Sequence, residues 1–369
     1  VLADGTVKSV RIHHVHMEED AGKTIHDQDD HYSLVDLNRA GTPLLELVTE
    51  PDLSSGDEVL TFIATLQQLV RYLNISDGDM EKGSMRCDVN ISVMPKGAKK
   101  FGERCEVKNV NSKRFAKTAV EYESKRQIAI LERGETFNKQ TLHFHSESGT
   151  TSPMRDKENV DDYRYFPDPD LPPIKISDDQ ITKINESLPA FPWEVKARLK
   201  STYHLNEYDS NLLSADKEVA DYFFKLVEEG ADPKLMANLI INKIIPSFGN
   251  IGLNKIPVSN DTIVSFLNLI KTNTVSASVA YQKLWSKMIK NPKAAPLEIA
   301  KSIGIIHIKD NNAIKKIIAE VLSENTAQAE EYRNGKKKVL GFLIGQAMRK
   351  SKGAAPSDVV KKALLAALR

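Results

Sequence analysis

Residues 86–110 read RCDVNISVMPKGAKKFGERCEVKNV, and two stretches of this segment alternate with a period of two. Cys87, Val89, Ile91 and Val93 fall on one side, with Asp88, Asn90 and Ser92 on the other. After the turn PKGAKKFG, Cys105 and Val107 repeat the apolar side while Arg104, Glu106 and Lys108 repeat the polar one. Successive side chains of a strand point to opposite faces, so the pattern predicts a hairpin with one face in a core and a polar face that includes Arg86. That polar face carries the mixed charge needed to hold phosphates and a cation together, as phosphoryl-transfer sites do by positioning and charge neutralisation. Cross-strand ion pairing on a wet sheet is the other reading of the same residues. Cys87 and Cys105 face the core side, where a thiol acts as a small apolar filler.

Upstream, VRIHHVHMEED (10–20) reads as extended and runs into the turn DAGK, and TPLLELVTE (42–50) reads as a second strand. Glu46 sits between Leu45 and Leu47, and a carboxylate buried there costs several kcal/mol unless it is paired or holds a metal. Glu18, Glu19 and Asp20 together with Glu46 could converge on a hard divalent cation such as Mg2+. The alternative is that Glu46 pairs with a nearby Arg or Lys and that the acids of EED are a solvated strand end. His13, His14 and His16 resemble a transition-metal cluster in composition, but alternation sends His13 to the face opposite the other two. They read as surface or strand-packing side chains.

Between these strands and the hairpin, Ser55 with Glu58 three residues later forms a capping-box signature. It opens a helix whose apolar positions Val59, Phe62, Ile63, Leu66, Leu69, Val70 and Leu73 recur at helical spacing. A second helix, from about Ser112 to Arg133 and closed by Gly134, is expected to cover the apolar face of the hairpin. DDYRYFPDPDLPPIKI (161–176) carries four prolines between 167 and 173, which forbid a helix and mark a seam. From Ser177 onward strand signals vanish, and about five segments with apolar residues three or four apart predict a helical domain, followed after NPKAAP (291–296) by a last block of small helices. The expected division is 1–176, 177–295 and 296–369, in the α+β class.

Composition narrows the function. Of the 369 residues only two are cysteines, so no disulfide framework or zinc-thiolate spacing exists and a reducing, cytoplasmic setting is expected. No apolar run approaches the roughly 20 residues of a membrane span, and no signal peptide opens the chain. The net charge of +1 hides an asymmetry: residues 1–50 carry ten acids and four Lys or Arg, while residues 333–352 carry seven cations and no acid. Within that last stretch Lys336, Lys337, Lys338, Arg349, Lys350 and Lys352 flank an apolar helix with Gly341 and Gly345, a pattern that fits either a nucleic-acid backbone or a packed helix with solvated flanks. GxxxxGK[ST], GxGxxG after a strand and GxSxG are all absent, which leaves a P-loop kinase unsupported.

Six segments, HMEEDAGK, DLNRAGTPLLELVTEPD, MEKGSMRCDVNISV, FGERCEVKNVNS, DDYRYFPDPDLPP and GFLIGQAMRKSKGAAP, resemble in order and spacing GatB of the glutamyl/aspartyl-tRNA amidotransferases, the GatCAB enzymes. The resemblance spans nearly the whole chain. It implies a glutamine-synthetase-like mixed catalytic domain, an all-α helical domain and a small helical tail that touches tRNA. It also implies a reaction in which ATP and Mg2+ phosphorylate the side-chain carboxylate of Glu or Asp misacylated onto tRNA(Gln) or tRNA(Asn). Ammonia then displaces the phosphate. The family's partners are a glutaminase, GatA, which supplies the ammonia through a channel, and a small protein, GatC.

On this resemblance Glu19 and Glu46 match positions that hold Mg2+. Lys23, Asn38 and Arg39 fall in neighbouring motifs expected to meet phosphates or the channel. Arg86, Asp88, Asn90, Glu106, Lys108 and Asn109 are expected to line the nucleotide and acceptor-end pocket, with Lys23 and Arg86 among the catalytic set. The chain opens at Val1 in mid-segment, without the family's Gly-Leu-Glu-Val-His strand, so an upstream part with two further Mg2+ ligands is expected to be missing. Two other readings stay open: a catalytically incomplete piece that docks tRNA and the partner proteins, and an ATP-dependent ligase acting on a free amino acid.

Overall fold

A computed structural model describes residues 2, 4–26, 31–154, 173–249, 252–308, 311–351 and 354–368. The chain divides into two compact units, Val1–Pro189 and Ala190–Arg369, the first mixed α+β and the second helical.

The alternation in 86–110 folds as the expected hairpin. β5 (Cys87–Ile91) and β6 (Cys105–Val110) pair antiparallel, and the sheet extends through β7 (Gln140–His145), parallel to β6, and β8 (Thr150–Pro153), antiparallel to β7. The ladder shifts by one residue between Cys87 and Val89, leaving Lys108 and Asn109 opposite Asp88 alone. Asn109 carries the bulge in the left-handed region at φ 65°, which Asn tolerates better than most residues.

Val89, Ile91, Cys105, Val107, Leu142 and Phe144 make the inner face. Helix α2 (Lys113–Glu132) covers it, and helix α1 (Gly56–Tyr72) packs on α2. Ser112 and Ser55 cap the two helices by accepting the backbone N–H of Phe115 and Glu58. The reciprocal arm of the capping box lands one residue early: Glu58 accepts the backbone N–H of Ser54 at 2.7 Å. Burial pushes the Cys105 thiol up, as a core filler requires.

α2 hides a polar group that its sequence does not advertise. Glu123 is fully buried, 2.7 and 2.8 Å from the two arms of Arg126, 2.9 Å from Gln127 Nε2 and 3.0 Å from Thr151 Oγ1 of β8. Arg126 also lies 3.7 Å from Cys105 Sγ and over the Phe137 ring. The sheet is therefore tied to its covering helix by a satisfied charge as well as by apolar contact.

β1 (Ile12–Glu19) and β4 (Pro43–Thr49) form a separate two-stranded ribbon, and β2 (Lys23–Ile25) pairs with β3 (Leu34–Asp36) in another. Met17 is 86% exposed and Leu45 53%, so the expectation of a buried β4 does not hold. Among the described residues no third layer covers the pair, and two strands alone cannot enclose a face.

The first unit closes with α3 (Asp178–Ser187), a polar helix with no buried residue, which explains why apolar spacing missed it. In the second unit the five expected helical segments are present, and among the described residues a short α-helix, Glu207–Ser214, and a 3-10 turn, Leu253–Lys255, lie between them. Single π-turns, Ile240–Ile244 and Ala280–Leu284, interrupt two of the helical segments. Toward the C-terminus, Ile314, Ile318, Val321, Leu343, Ala347, Val360 and Leu364 form an apolar cluster of their own. No described helix is long and apolar enough to cross a membrane.

Two consequences can be measured. The Glu123 carboxyl is held below its usual range; burial opposes this, and Arg126, Gln127 and Thr151 outweigh it. A depressed carboxylate pKa stabilises the fold above the unfolded value of about 4.3 and loses that contribution as pH falls through the folded value. Glu123→Ala is expected to cost about 3–5 kcal/mol near neutrality by leaving Arg126 unpaired, and the gap between Glu123→Gln and the parent protein in denaturant midpoint should narrow in acid. At the α1–α2 crossing a methyl on Gly56 would stand 2.9 Å from the Lys117 backbone oxygen. Gly56→Ala should cost about 1–3 kcal/mol in urea unfolding, because the helices must separate.

Candidate functional site

The ribbon decides which acids meet. Its register sets His16 opposite Glu46, Glu18 opposite Leu44 and Glu19 opposite Pro43. Alternation then places His14, His16, Glu18 and Glu46 on one face and Glu19 on the other. The expected convergence of Glu19 with Glu46 is not formed; Glu18 is the acid that shares Glu46's face. His16 Nδ1 lies 3.4 Å from Glu46 Oε2 and 4.0 Å from Glu18 Oε1. Glu46 is more than half exposed, and its partner is His16 rather than the nearby Arg or Lys of the alternative reading.

The histidines also arrange differently from strict alternation. The register slips by one between Ile12 and His14, which makes His13 the extra residue of a bulge. Its Nδ1 contacts His14 Nδ1, and the His14 and His16 rings lie 4.3 Å apart. His14, His16 and Glu46 each offer a ligand atom, and all three atoms fall within 4.8 Å of one another.

Beyond the acidic strand end, two of the expected phosphate-binding residues are engaged locally. Arg39 Nε lies 2.6 Å from Asp20 Oδ2 and its Nη1 donates to the Gly83 carbonyl, fastening the DAGK turn to the loop ahead of β5. Asn38 donates its backbone N–H and its side-chain amide to Asp36 Oδ1, at 2.9 and 2.6 Å. Lys23 opens β2 opposite Asp36 and its side chain is exposed.

On the four-stranded sheet the polar face is continuous. Lys108 Nζ sits 3.5 Å from both Asp88 and Glu106, Asn90 lies opposite Glu106, and Thr141 Oγ1 donates to Glu106 Oε2 at 3.4 Å. The cross-strand ion pairing of the simpler reading is thus present. Partial burial works against the Lys108 charge, but Asp88 and Glu106 prevail and hold the ammonium above its usual pKa. Arg86 is exposed at the entry to β5.

Sequence reasoning missed the far half of this face. His143, opposite Lys108, meets Asn109 Nδ2 at 3.3 Å, and His145 Nε2 lies 2.7 Å from Ser152 Oγ. Their rings are 4.9 Å apart. The signal was available in TLHFH (141–145), which alternates like the hairpin strands.

In the C-terminal helices the cations sort into two groups. Lys336 pairs with Glu331 at 3.1 Å, Lys350 with Glu320 at 3.1 Å and with Glu324, and Lys337 Nζ lies 4.2 Å from the Tyr332 ring centroid. Lys338 and Arg349 are exposed and form no ion pair among the described residues; Lys352 lies outside them. On the helix Leu340–Lys350, Gly341 and Gly345 are exposed with open space where a Cβ would stand, and Phe342 is 45% exposed.

These features can be set beside known proteins. Residues 1–182 match the family described as GatB/GatE catalytic domain, and residues 221–368 match the one described as GatB domain. The GatB subunit of the aspartyl/glutamyl-tRNA(Asn/Gln) amidotransferase of Rickettsia felis is 42% identical over 362 residues, covering 98% of this chain and 74% of that protein. Its counterparts in Geotalea daltonii and Geobacter sulfurreducens are each 43% identical, covering all of this chain and 78% of theirs. The chain belongs to the GatB family of aspartyl/glutamyl-tRNA(Asn/Gln) amidotransferase subunits.

Proposed function

We propose that this chain is the carboxylate-activating subunit of a tRNA-dependent amidotransferase, a ligase that forms an amide on aminoacyl-tRNA. In this reading ATP phosphorylates the side-chain carboxylate of Glu-tRNA(Gln) or Asp-tRNA(Asn), and ammonia from a partner glutaminase displaces the phosphate. The observation that carries it is the 42% identity to a GatB subunit over 98% of the chain. The mixed first unit would be the glutamine-synthetase-like catalytic domain, over about 1–176, followed by a helical domain to about 295 and a tRNA-binding tail. GatA and GatC of the same enzyme would be its partners, in the cytoplasm.

The donor set of the ribbon fits a hydrated Mg2+, which takes one or two carboxylates and keeps several waters. Glu46 would hold it with one acid of the Glu18–Glu19 pair. Glu18 shares the face of Glu46, whereas Glu19, at the strand's last position, reaches it only if the ribbon end twists. The cation would draw charge from the phosphoryl oxygens. On the sheet, Lys108 and Arg86 would meet the nucleotide's phosphates, with Asp88, Asn90, Glu106 and Asn109 fixing the pocket around them. Lys108, already carrying two acids, would exchange them in part for phosphate. Lys23 would stand at the same pocket from β2, while Arg39 and Asn38 would act by holding the turns beside it.

Within the described part of the basic run 336–352, Lys338 and Arg349 are the cations most available to a nucleic-acid backbone. Gly341 and Gly345 leave the helix surface bare between them, so a sugar-phosphate strand can approach closely. Lys336, Lys337 and Lys350 would contribute after release from their acids or ring, and Lys352 would extend the same basic run.

The test is transamidation of Glu-tRNA(Gln) by the chain together with GatA and GatC, glutamine, ATP and Mg2+. Glu46→Ala should lower amide formation on the order of 10²-fold or more. Glu18→Gln and Glu19→Gln, compared for the Mg2+ concentration at half-activity, identify the second acid. Full activity of Glu46→Ala would refute the assignment, and tRNA binding without ATP turnover would leave the chain a docking scaffold. For the tail, Lys338→Ala and Arg349→Ala should each lower the slope of log affinity against log salt by about 0.7–0.9, the value of one phosphate contact. Filter binding across a salt series reads this, and Lys350→Ala should change it less.

A further inference from the structure

We propose that the exposed face of the β1–β4 ribbon binds a first-row transition-metal dication, of the Zn2+, Co2+ and Ni2+ class, through His14, His16 and Glu46. The three residues come together because of the pairing. His16 and Glu46 are directly cross-strand, and His14 is the next residue of β1 on the same face. Their ligand atoms already lie within 4.8 Å of one another, and His16 Nδ1 is 3.4 Å from Glu46 Oε2. Donors on one dication with metal–nitrogen bonds of about 2.0–2.1 Å stand roughly 3 Å apart, so small rotations about χ1 and χ2 close the set.

The chemistry of the set distinguishes it from the proposed Mg2+ site. Two imidazoles with one carboxylate suit Zn2+, Co2+ or Ni2+, whereas Mg2+ prefers oxygen and holds its waters. His13 supplies the orienting partner that metal-bound imidazoles usually have. The bulge brings its Nδ1 against His14 Nδ1, so a His14 that donates its Nδ1 proton to His13 presents Nε2 to a metal. His16 and Glu46 are exposed and His14 is half-buried, so water reaches the open side and completes the coordination.

The inference stands apart from the amidation chemistry, although Glu46 serves both. A transition metal on this face would take Glu46 away from Mg2+, which makes the site an inhibitory one for any Mg2+-dependent step there.

The experiment uses the full chain stripped with chelator, with Co2+ as a visible-absorption probe and Zn2+ in calorimetry. One equivalent of Co2+ should give d–d bands, and His14→Ala and His16→Ala should each weaken Zn2+ binding at least about tenfold. His143→Ala, which removes a histidine from the other ring pair, should leave it unchanged. Thermal unfolding of each variant checks that the fold is intact; His14→Asn, closer in shape, serves if the alanine variant is not. Absence of Co2+ bands, or Zn2+ affinity that survives the loss of both His14 and His16, overturns the proposal. Binding of Zn2+ by a chain whose amidation ignores Glu46→Ala would sink the Mg2+ reading and leave this one standing.

Discussion

The polar face of the four-stranded sheet owes its arrangement to what is buried behind it. On the inner side β6 presents Cys105 and Val107, both fully buried, to α2, and α2 in turn sends the fully buried Glu123 to β8 through Thr151. The carboxylate accepts hydrogen bonds from Arg126, Gln127 Nε2 and Thr151 at once, so helix and sheet edge cannot shift without stranding a charge in a site that water does not reach. The strands are held in one position relative to the helix, and Lys108, Glu106, Asp88 and His143 are carried on strands whose other face is immobilised.

The ribbon of β1 and β4 is built on the opposite principle. With neither face enclosed by the described residues, its apolar side chains gain little from burial, and its order rests on backbone pairing and on end contacts such as the clamp of Arg11 on Asp52. That clamp holds the Asp52 carboxyl at about 2, through hydrogen bonds from the Arg11 guanidinium and backbone. An open ribbon suits groups that must meet a hydrated ion, because desolvation is small. It also leaves Val15, Met17 and Leu45 in solvent on the reverse side.

How much of this could be read from the amino-acid order depended on whether a local pattern or a long-range pairing was responsible. The hairpin was legible because period-two alternation over 87–91 and 105–108 carries its own face assignment, and α2 because Ser112 and Gly134 mark its ends. Glu123 was not, since Ala116, Ala119, Glu123 and Gln127 lie on one helical stripe that reads as weakly polar and is nevertheless buried. The meeting of His16 with Glu46 rather than of Glu19 with Glu46 follows from the register of two strands that pairs residues 30 positions apart, which no local pattern contains. The bulge at His13 broke the alternation that had separated the histidines. In the basic tail, charge counting could not foresee that Lys336 and Lys350 are matched by glutamates brought near by the fold.

The bulge at Asn109 bears on how the hairpin can fail. A regular antiparallel pair can slide by two residues and keep its faces, trading one polar neighbour for another at modest cost. Here one position of β6 has no counterpart on β5, and its backbone sits at φ 65°, where most residues are strained. Sliding by two would have to carry that kink to Val107, a β-branched residue that resists it, or to Asn111, beyond the end of β6. Asn109 therefore acts as a pawl, admitting a single alignment, and the set of side chains that share the outer face is determined as firmly as the core behind it.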